Sequence, residues 1–255
     1  MPPLVELNFR RAPVTLIVAA VAVALEIVCT INEEQRFDTY YRLLGILPLI
    51  WVWEWWRPFT TTLLHGNLLH AGFNVYWLVR FGSALEARFG PLRYLGLLVL
   101  FGNTAILPQF IVTNYNQLPV VPIVGLSGTV YGLFGILVIG RRYHRELDAV
   151  CDAATVQFLF FWLLFCVLLT HFKVLPVANT AHVSGLVFGL LYGLAAFDVK
   201  RRIRWAALAS AATLLVLATL IACPGHAGYE AVKQQRMFLK QIRAIPAAPQ
   251  QNADR

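Results

Sequence analysis

Long apolar runs, each close to the length of a membrane-spanning helix, recur along the 255 residues of the chain. The hydrocarbon core of a bilayer is roughly 30 Å thick and needs about 20 apolar residues for each helical span. Runs near this length occur at about 13–31, 62–81, 92–112, 124–140, 155–172, 179–197 and 203–222. The pattern predicts an all-α polytopic membrane protein with seven transmembrane helices.

The composition agrees with this interpretation. Hydrophobic residues make up 58% of the chain and charged residues 13%, with a mean hydropathy of +0.64, which excludes an ordinary soluble domain. The first run follows Arg10 and Arg11, as the core of a signal peptide would, but it is longer than such a core and no small-residue cleavage site ends it. We therefore expect an uncleaved first helix.

The net charge of +8 is placed in a way that favours membrane topology over nucleic-acid binding. If residues 1–11 are cytoplasmic, the connections on the outer side hold only four cations, and those on the cytoplasmic side hold twelve. The outer four are Arg36, Arg42, Arg57 and Lys173; the inner twelve are Arg10, Arg11, Arg80, Arg88, Arg93, Arg141, Arg142, Arg145, Lys200, Arg201, Arg202 and Arg204. The positive-inside rule thus predicts a multi-pass protein of the cell membrane with a cytoplasmic N-terminus.

Two segments outside the apolar runs have distinct compositions. The connection at 32–61 contains four tryptophans and a short apolar run that proline interrupts, so it predicts a first loop lying in the membrane interface. The tail at 223–255 is basic and is expected to be partly disordered. Its side of the membrane depends on whether the run at 203–222 spans.

Polar residues inside membrane helices are costly, so each is a hypothesis of function. In the second run Asn67, His70 and Asn74 share one helical face, and His65 lies one turn or more above them. We expect these side chains to line a water-filled cavity that opens to the outer side.

Two further polar residues begin glycine-rich runs. Ser127 opens the fourth run between Gly125 and Gly128, and His182 in the sixth run is followed by Gly185 and Gly189 on the same face. Such glycines can serve helix packing alone, because small residues let helices approach closely. If the two glycine faces pack together, however, Ser127 lies beside His182, and both lie in the outer half of the membrane with the polar face of the second run.

This arrangement predicts nucleophilic chemistry. A serine hydroxyl attacks a carbonyl once a base such as neutral histidine takes its proton, so Ser127 is the candidate nucleophile and His182 the candidate base. Candidate oxyanion donors are His70, Asn74 and the backbone N–H of Ser127, each such donor being worth about 3–4 kcal/mol in the transition state. Glycines at Gly125 and Gly128 would leave room for the substrate backbone.

The sequence favours a dyad over a triad. Asp198 lies 16 residues beyond His182, about 24 Å along a helix, and cannot orient its imidazole. Glu26 in the first run is a minor alternative. Tyr131, one turn after Ser127, is instead expected to pack against the histidine ring.

Together these motifs resemble the rhomboid family of intramembrane serine proteases. The resemblance covers roughly 50–200 and rests on five patterns. They are GxSG at Gly125–Gly128 with Tyr131, HxxxxHxxxN at His65, His70 and Asn74, AHxxGxxxG at Ala181, His182, Gly185 and Gly189, the pair Trp56–Arg57, and Glu86 with Gly90.

The resemblance implies a rhomboid-like core of six helices at 12–198, with 32–61 as its interfacial first loop. The serine would be on the fourth helix and the histidine on the sixth, and 199–222 would add a seventh helix. It implies a serine endopeptidase that cleaves peptide bonds in or near transmembrane segments of other membrane proteins. Small residues would be preferred at the cut, and substrates would enter laterally from the lipid bilayer.

Other functions remain open at this point. A catalytically inactive rhomboid-like protein could bind membrane clients, a haem protein could use His70 and His182, and glycine-rich helices also suit transporters. A metalloprotease is disfavoured because HExxH is absent. The cysteines Cys29, Cys151, Cys166 and Cys223 show neither CxxC nor metal-ligand spacing, although a Cys29–Cys223 disulfide stays open. No cofactor, metal or nucleic-acid partner is expected.

Overall fold

The computed structural model describes residues 12–32, 45, 54–114, 122–222, 233 and 237. Within these ranges the chain forms seven long helices. They are α1 (Pro13–Ile31), α2 (Leu68–Phe89), α3 (Pro91–Asn114), α4 (Ser127–Gly140), α5 (Ala153–His171), α6 (Asn179–Phe197) and α7 (Arg202–Ala222). A helix is therefore present at each of the seven apolar runs, and the prediction of an all-α polytopic membrane protein is confirmed.

Shorter helical segments occupy some of the connections. A helix at Arg57–Thr60 and a 3-10 turn at Thr61–Leu63 precede α2, a helix at Arg145–Val150 follows α4, and a 3-10 turn at Val199–Arg201 joins α6 to α7. Most of the predicted interfacial loop at 32–61 lies outside the described residues. The same holds for the tail predicted to be partly disordered.

Five helical segments are long and apolar enough to cross a membrane, and they correspond to α1, α3, α5, α6 and α7. The second and fourth helices differ from the others for separate reasons. Helix α2 has 22 residues but carries polar groups in both its halves. Helix α4 is apolar but has only 14 residues.

The predicted bounds of α2, 62–81, were wrong at both ends. The helix begins at Leu68 because the Asn67 side chain accepts a hydrogen bond from the His70 backbone N–H, at 2.8 Å. It continues past Arg80 to Phe89 because the charged groups near its end find partners in the protein, as Arg80 Nε does at the Val150 carbonyl, 3.0 Å away. It stops at Gly90, whose φ of 81° is readily adopted only by glycine.

The N-terminus of α1 is anchored to the C-terminal half of α2. The buried Glu86 carboxylate accepts hydrogen bonds from the Val14 and Thr15 backbone N–H groups, both at 2.8 Å, and from Thr15 Oγ1 at 2.7 Å. These amides belong to the first turn of α1 and have no partner within their own helix. Glu86 therefore caps one membrane helix from another.

Helix α4 lies in the centre of the bundle, with nearly every residue buried, and packs most extensively against α6. The two backbones touch through glycine. A Cβ atom added at Gly185 would lie 2.1 Å from the Gly128 carbonyl oxygen, and one added at Gly189 would lie 2.1 Å from the Gly132 carbonyl oxygen. This glycine seam (Gly128, Gly132, Gly185 and Gly189) fixes the separation of α4 and α6.

Helices α5 and α7 both lie at the edge of this centre and bury little of their apolar length, 17% for α5 and 11% for the segment that contains α7. Helix α7 packs on α6, where the hydroxyls of Tyr192 and Thr213 lie 3.0 Å apart and Trp205 Nε1 donates to Asp198. The structure thus has a buried centre and two peripheral helices.

Candidate active site

The Ser127 hydroxyl and the His182 imidazole are in contact at the end of the glycine seam where α4 and α6 begin. Ser127 is the first residue of α4 and is half-buried, and His182 lies in the first turn of α6 and is 4% exposed. Ser127 Oγ lies 2.8 Å from His182 Nε2. Because Gly128 and Gly185 each lie close to one of these residues in sequence, the backbone contact between the helices also sets the distance between the two side chains.

The imidazole of His182 is held by an aromatic ring on its other side. The rings of Tyr131 and His182 lie 4.9 Å apart at 33°, and the Tyr131 hydroxyl donates to the Leu159 carbonyl of α5 at 3.0 Å. Among the described residues, Nδ1 of His182 has no hydrogen-bond partner. The minor alternative, Glu26, bonds to Thr30 in α1, and Asp198, which was predicted to lie too far away, bonds to Trp205 at the far end of α6.

The loop before Ser127 lies directly against the polar face of α2. Gly125 has a φ of 111°, and a Cβ atom there would lie 2.8 Å from His70 Cε1, 2.9 Å from His70 Nε2 and 3.5 Å from Asn74 Nδ2. Glycine is therefore required both by the backbone conformation and by the space available. The Asn74 amide is buried, and its Nδ2 has no hydrogen-bond partner within the described part of the chain.

Two buried side chains attach the same loop to the protein. The Leu126 N–H donates to His65 Nε2 at 3.4 Å, and Thr61 Oγ1 donates to the Ile123 carbonyl at 2.6 Å. The His65 ring also packs edge-to-face on His70, with 5.0 Å between centroids. His65 was predicted as a supporting residue. Thr61 was missed, because nothing in the sequence around it indicates that its hydroxyl forms a hydrogen bond to a distant loop.

Other predicted residues lie away from the serine. Asn67 is exposed and caps α2, so it does not line a cavity as expected. Gly128 faces Ala105 and Ala181, at 2.6 and 3.4 Å between its added Cβ and theirs, so its missing side chain makes room for helices and not for a substrate. Trp56 is exposed.

Arg57 and Glu86 each connect two segments of the chain away from the serine. The buried Arg57 guanidinium pairs with Glu54 and donates to the Gly45 carbonyl at 2.8 Å, which connects the end of the first loop to an earlier part of it. Glu86 lies near the opposite end of α2, where it holds α1. Among the described residues, no group of three or more His, Cys, Asp or Glu is placed to hold a metal ion.

The fold and this site define a helical, multi-pass membrane protein with a serine–histidine pair between two closely packed helices. A family model for the rhomboid domain matches residues 52–199, more than half of the chain. The chain belongs to the rhomboid family, a family of intramembrane proteases, as its motifs predicted.

Curated relatives agree with the family assignment. The chain is similar to the rhomboid protease GlpG of Enterobacter sp. (strain 638), with 28% identity over 195 residues that cover 73% of this chain and 64% of that protein. It is 27% identical over 201 residues to the rhomboid protease GlpG of Yersinia pestis (strain Pestoides F), covering 78% and 67% of the two chains. The corresponding Haemophilus influenzae protein is 32% identical over 152 residues, covering 58% of this chain and 72% of the relative.

Proposed function

We propose that this protein is an intramembrane serine endopeptidase that uses a Ser127–His182 dyad to hydrolyse peptide bonds in or near transmembrane segments of other membrane proteins. The observation that carries the proposal is the 2.8 Å separation of Ser127 Oγ and His182 Nε2 at a backbone contact between two helices. A packing role alone needs the glycines, but it does not need a hydroxyl aimed at an imidazole nitrogen.

In this mechanism His182 Nε2 accepts the Ser127 proton while Oγ attacks the scissile carbonyl. The imidazolium then donates that proton to the leaving amine, and an acyl-enzyme remains. Water activated by the same nitrogen releases the second product. Tyr131 keeps the imidazole in place through its ring contact, which replaces the orienting role that a third acidic residue has in a triad.

Three donors are available for the oxyanion. The Gly66 N–H donates to His70 Nδ1 at 3.4 Å, so the neutral His70 ring carries its proton on Nε2, which lies 2.9 Å from the Cβ position of Gly125. Asn74 Nδ2 is buried without a partner among the described residues, and an unsatisfied buried donor is costly unless a ligand uses it. The backbone N–H of Ser127 belongs to the first turn of α4, where amides lack partners within the helix.

Substrates enter laterally between α2 and α5. Aromatic rings make much of the contact between these helices: Phe73 and Trp162 lie 5.0 Å apart, and Trp77 stacks on Phe158 at 5.8 Å. A polar contact, from Arg80 Nη2 to Thr155 Oγ1 at 3.5 Å, lies near the start of α5. Displacing the Phe73 and Trp162 rings therefore opens a path from the bilayer at the other half of α5, where the contact is aromatic.

The residues at the end of the bundle opposite the serine support an orientation in the membrane. There Arg88 of α2 lies over the Phe197 ring of α6 at 5.4 Å, and Tyr143 from the connection after α4 stacks on the same ring at 6.3 Å. Arg88 lies in the last turn of α2, and Arg141 and Arg142 directly follow α4, so cations lie at the end where these even-numbered helices finish. We place that end and the N-terminus in the cytoplasm, the core at 12–198, and the active site toward the outer face of the cell membrane.

The first test is labelling with a fluorophosphonate probe in mild detergent, with the adduct mapped by mass spectrometry. We expect one adduct, on Ser127, that is lost in both Ser127→Ala and His182→Ala. Ser184→Ala is the matched control, because Ser184 lies only two residues after His182 in the same helix but its hydroxyl bonds to the Thr180 carbonyl at 2.7 Å. That variant should label at the wild-type rate.

The second test is cleavage of a single-span membrane protein in proteoliposomes. The wild type should cut it within or beside the span, and Ser127→Ala should not. A folded wild-type protein that neither labels nor cleaves would reject the protease and favour a catalytically inactive rhomboid-like protein that binds membrane clients.

A further inference from the structure

The first turn of α6, which carries His182, lacks a cap of its own. A side chain at the N-cap position usually accepts a hydrogen bond from the second or third amide of the helix. The N-cap residue of α6 is Ala178, which makes no such bond. The amide of Ala181, the third residue of the helix and the neighbour of His182, is one of the donors left over.

A glutamine from another helix supplies the missing acceptor. Gln109 of α3 is 9% exposed, and its Oε1 accepts a hydrogen bond from the Ala181 N–H at 3.2 Å. Its Nε2 donates to Thr113 Oγ1, one turn further along α3, at 2.7 Å. Both ends of the amide are thus used, and because the Ala181 N–H can only donate, the amide oxygen is the end that faces α6.

Two other helices meet the same turn. On the α4 side, a Cβ atom added at Gly128 would lie 3.2 Å from the Ala181 carbonyl oxygen, so the α4 backbone lies close to this turn. On the α5 side, Asn179 Nδ2 donates to Thr170 Oγ1 at 2.8 Å. The contacts from α4 and α5 limit where the turn can move, but among the described residues only the Gln109 side chain accepts a bond from the Ala181 amide.

We propose that Gln109 is a positioning residue for His182: by capping α6 from α3, it fixes the turn that aims the imidazole at Ser127. The inference rests on the proposed function. Without the acceptor, the first turn of α6 has an unsatisfied buried amide and is free to fray, and the 2.8 Å contact of Nε2 with Ser127 Oγ is no longer held in one place. A misplacement of about 1 Å costs up to 100-fold in rate, so we expect a partial loss of roughly tenfold.

Three variants of the full-length protein separate this role from general stability. Gln109→Leu keeps the size of the side chain and removes the acceptor, whereas Gln109→Glu keeps an acceptor oxygen. Thr104→Val is the matched control, because Thr104 is also buried in α3 but bonds to the Leu100 carbonyl of its own helix, at 2.9 Å. Each is measured for fluorophosphonate inactivation, separated into the limiting rate and the half-saturating probe concentration, and for hydrogen exchange in the peptide around Ala181.

We expect Gln109→Leu to lower the limiting rate roughly tenfold at unchanged half-saturation and to speed exchange around Ala181. Gln109→Glu should recover both, and Thr104→Val should change neither. A limiting rate within twofold of wild type in Gln109→Leu would overturn the proposal, as would an equal loss in Thr104→Val. If the wild type itself fails to label, the proposed protease fails, and exchange alone decides the cap: faster exchange only in Gln109→Leu supports it, and unchanged exchange overturns it.

Discussion

Gly185→Ala gives the most specific prediction, because the structure shows which atoms the added methyl group would contact. Its Cβ would lie 2.1 Å from the Gly128 carbonyl oxygen and 3.0 Å from the Gly128 carbonyl carbon. Close carbon–oxygen contacts between helices settle at about 3.3 Å, so the two backbones must separate by about 1.2 Å. Both atoms belong to backbone at the centre of the bundle, where neither has a flexible end that can move aside.

That separation acts directly on the dyad. Added to the 2.8 Å between Ser127 Oγ and His182 Nε2, it gives about 4 Å, which is beyond hydrogen-bond reach. Proton transfer by a positioned base contributes about 100- to 10,000-fold to such reactions, so we expect the labelling rate to fall at least about 100-fold. Overpacking should also lower the free energy of unfolding by about 1–3 kcal/mol.

The assay is the rate of fluorophosphonate labelling of Ser127 at a temperature well below the unfolding transition of both proteins. Gly96→Ala is the control, since a Cβ atom there meets nothing within 4 Å. Alanine should stabilise that helix by up to about 1 kcal/mol and leave labelling unchanged. If Gly185→Ala labels within threefold of wild type, the seam does not set the distance between serine and histidine.

Three further variants test other parts of the site. Asn74→Ala should slow labelling or cleavage about 100- to 1,000-fold and leave the melting temperature nearly unchanged, because the amide hydrogens that it removes have no partner among the described residues. A large fall in the melting temperature together with the slower rate would contradict an oxyanion role. Glu86→Gln should lower the free energy of unfolding, measured by denaturant titration, by about 2 kcal/mol or more. An amide offers one acceptor oxygen, whereas the carboxylate accepts three hydrogen bonds, two of them from Thr15. The folded variant should label at the wild-type rate, and a slower rate would show that α1 affects the site. Thr61→Val should cost about 1–3 kcal/mol by leaving the buried Ile123 carbonyl unsatisfied, and an unchanged melting temperature would show that the 2.6 Å bond contributes nothing.

The helices were predictable from sequence because lipid imposes a length and a composition on each span. The exception was α2, whose end passes through Arg80, Glu86 and Arg88. Hydropathy indicates that a membrane helix ends at such residues, whereas in the fold their charged groups form hydrogen bonds with partners that are 58–72 positions away in sequence. Such partners come from tertiary structure, and a one-dimensional pattern does not contain them.

The pairing of Ser127 with His182 could be inferred because glycine spacing leaves few ways to pack two helices. The roles of Thr61 and Gln109 could not. Thr61 is one of three consecutive threonines and Gln109 is a single polar residue in an apolar run, and the partner of each is a backbone group, which every residue has. Gly128 was predicted to leave room for a substrate, but it leaves room for neighbouring helices. The two kinds of glycine cannot be distinguished in the sequence.

The short length of α4 has a consequence for where substrates are cut. Its 14 residues rise about 21 Å, roughly 9 Å less than the hydrocarbon core. Because the helix ends beside Arg141 and Arg142 at the cytoplasmic interface of the proposed topology, its first residue lies below the opposite surface. In the proposed protease the distance between Ser127 and the inner interface is then fixed by the length of α4. A bilayer with longer acyl chains would place Ser127 further below the outer surface, so the cleavage site should move along a substrate helix, away from its outer end.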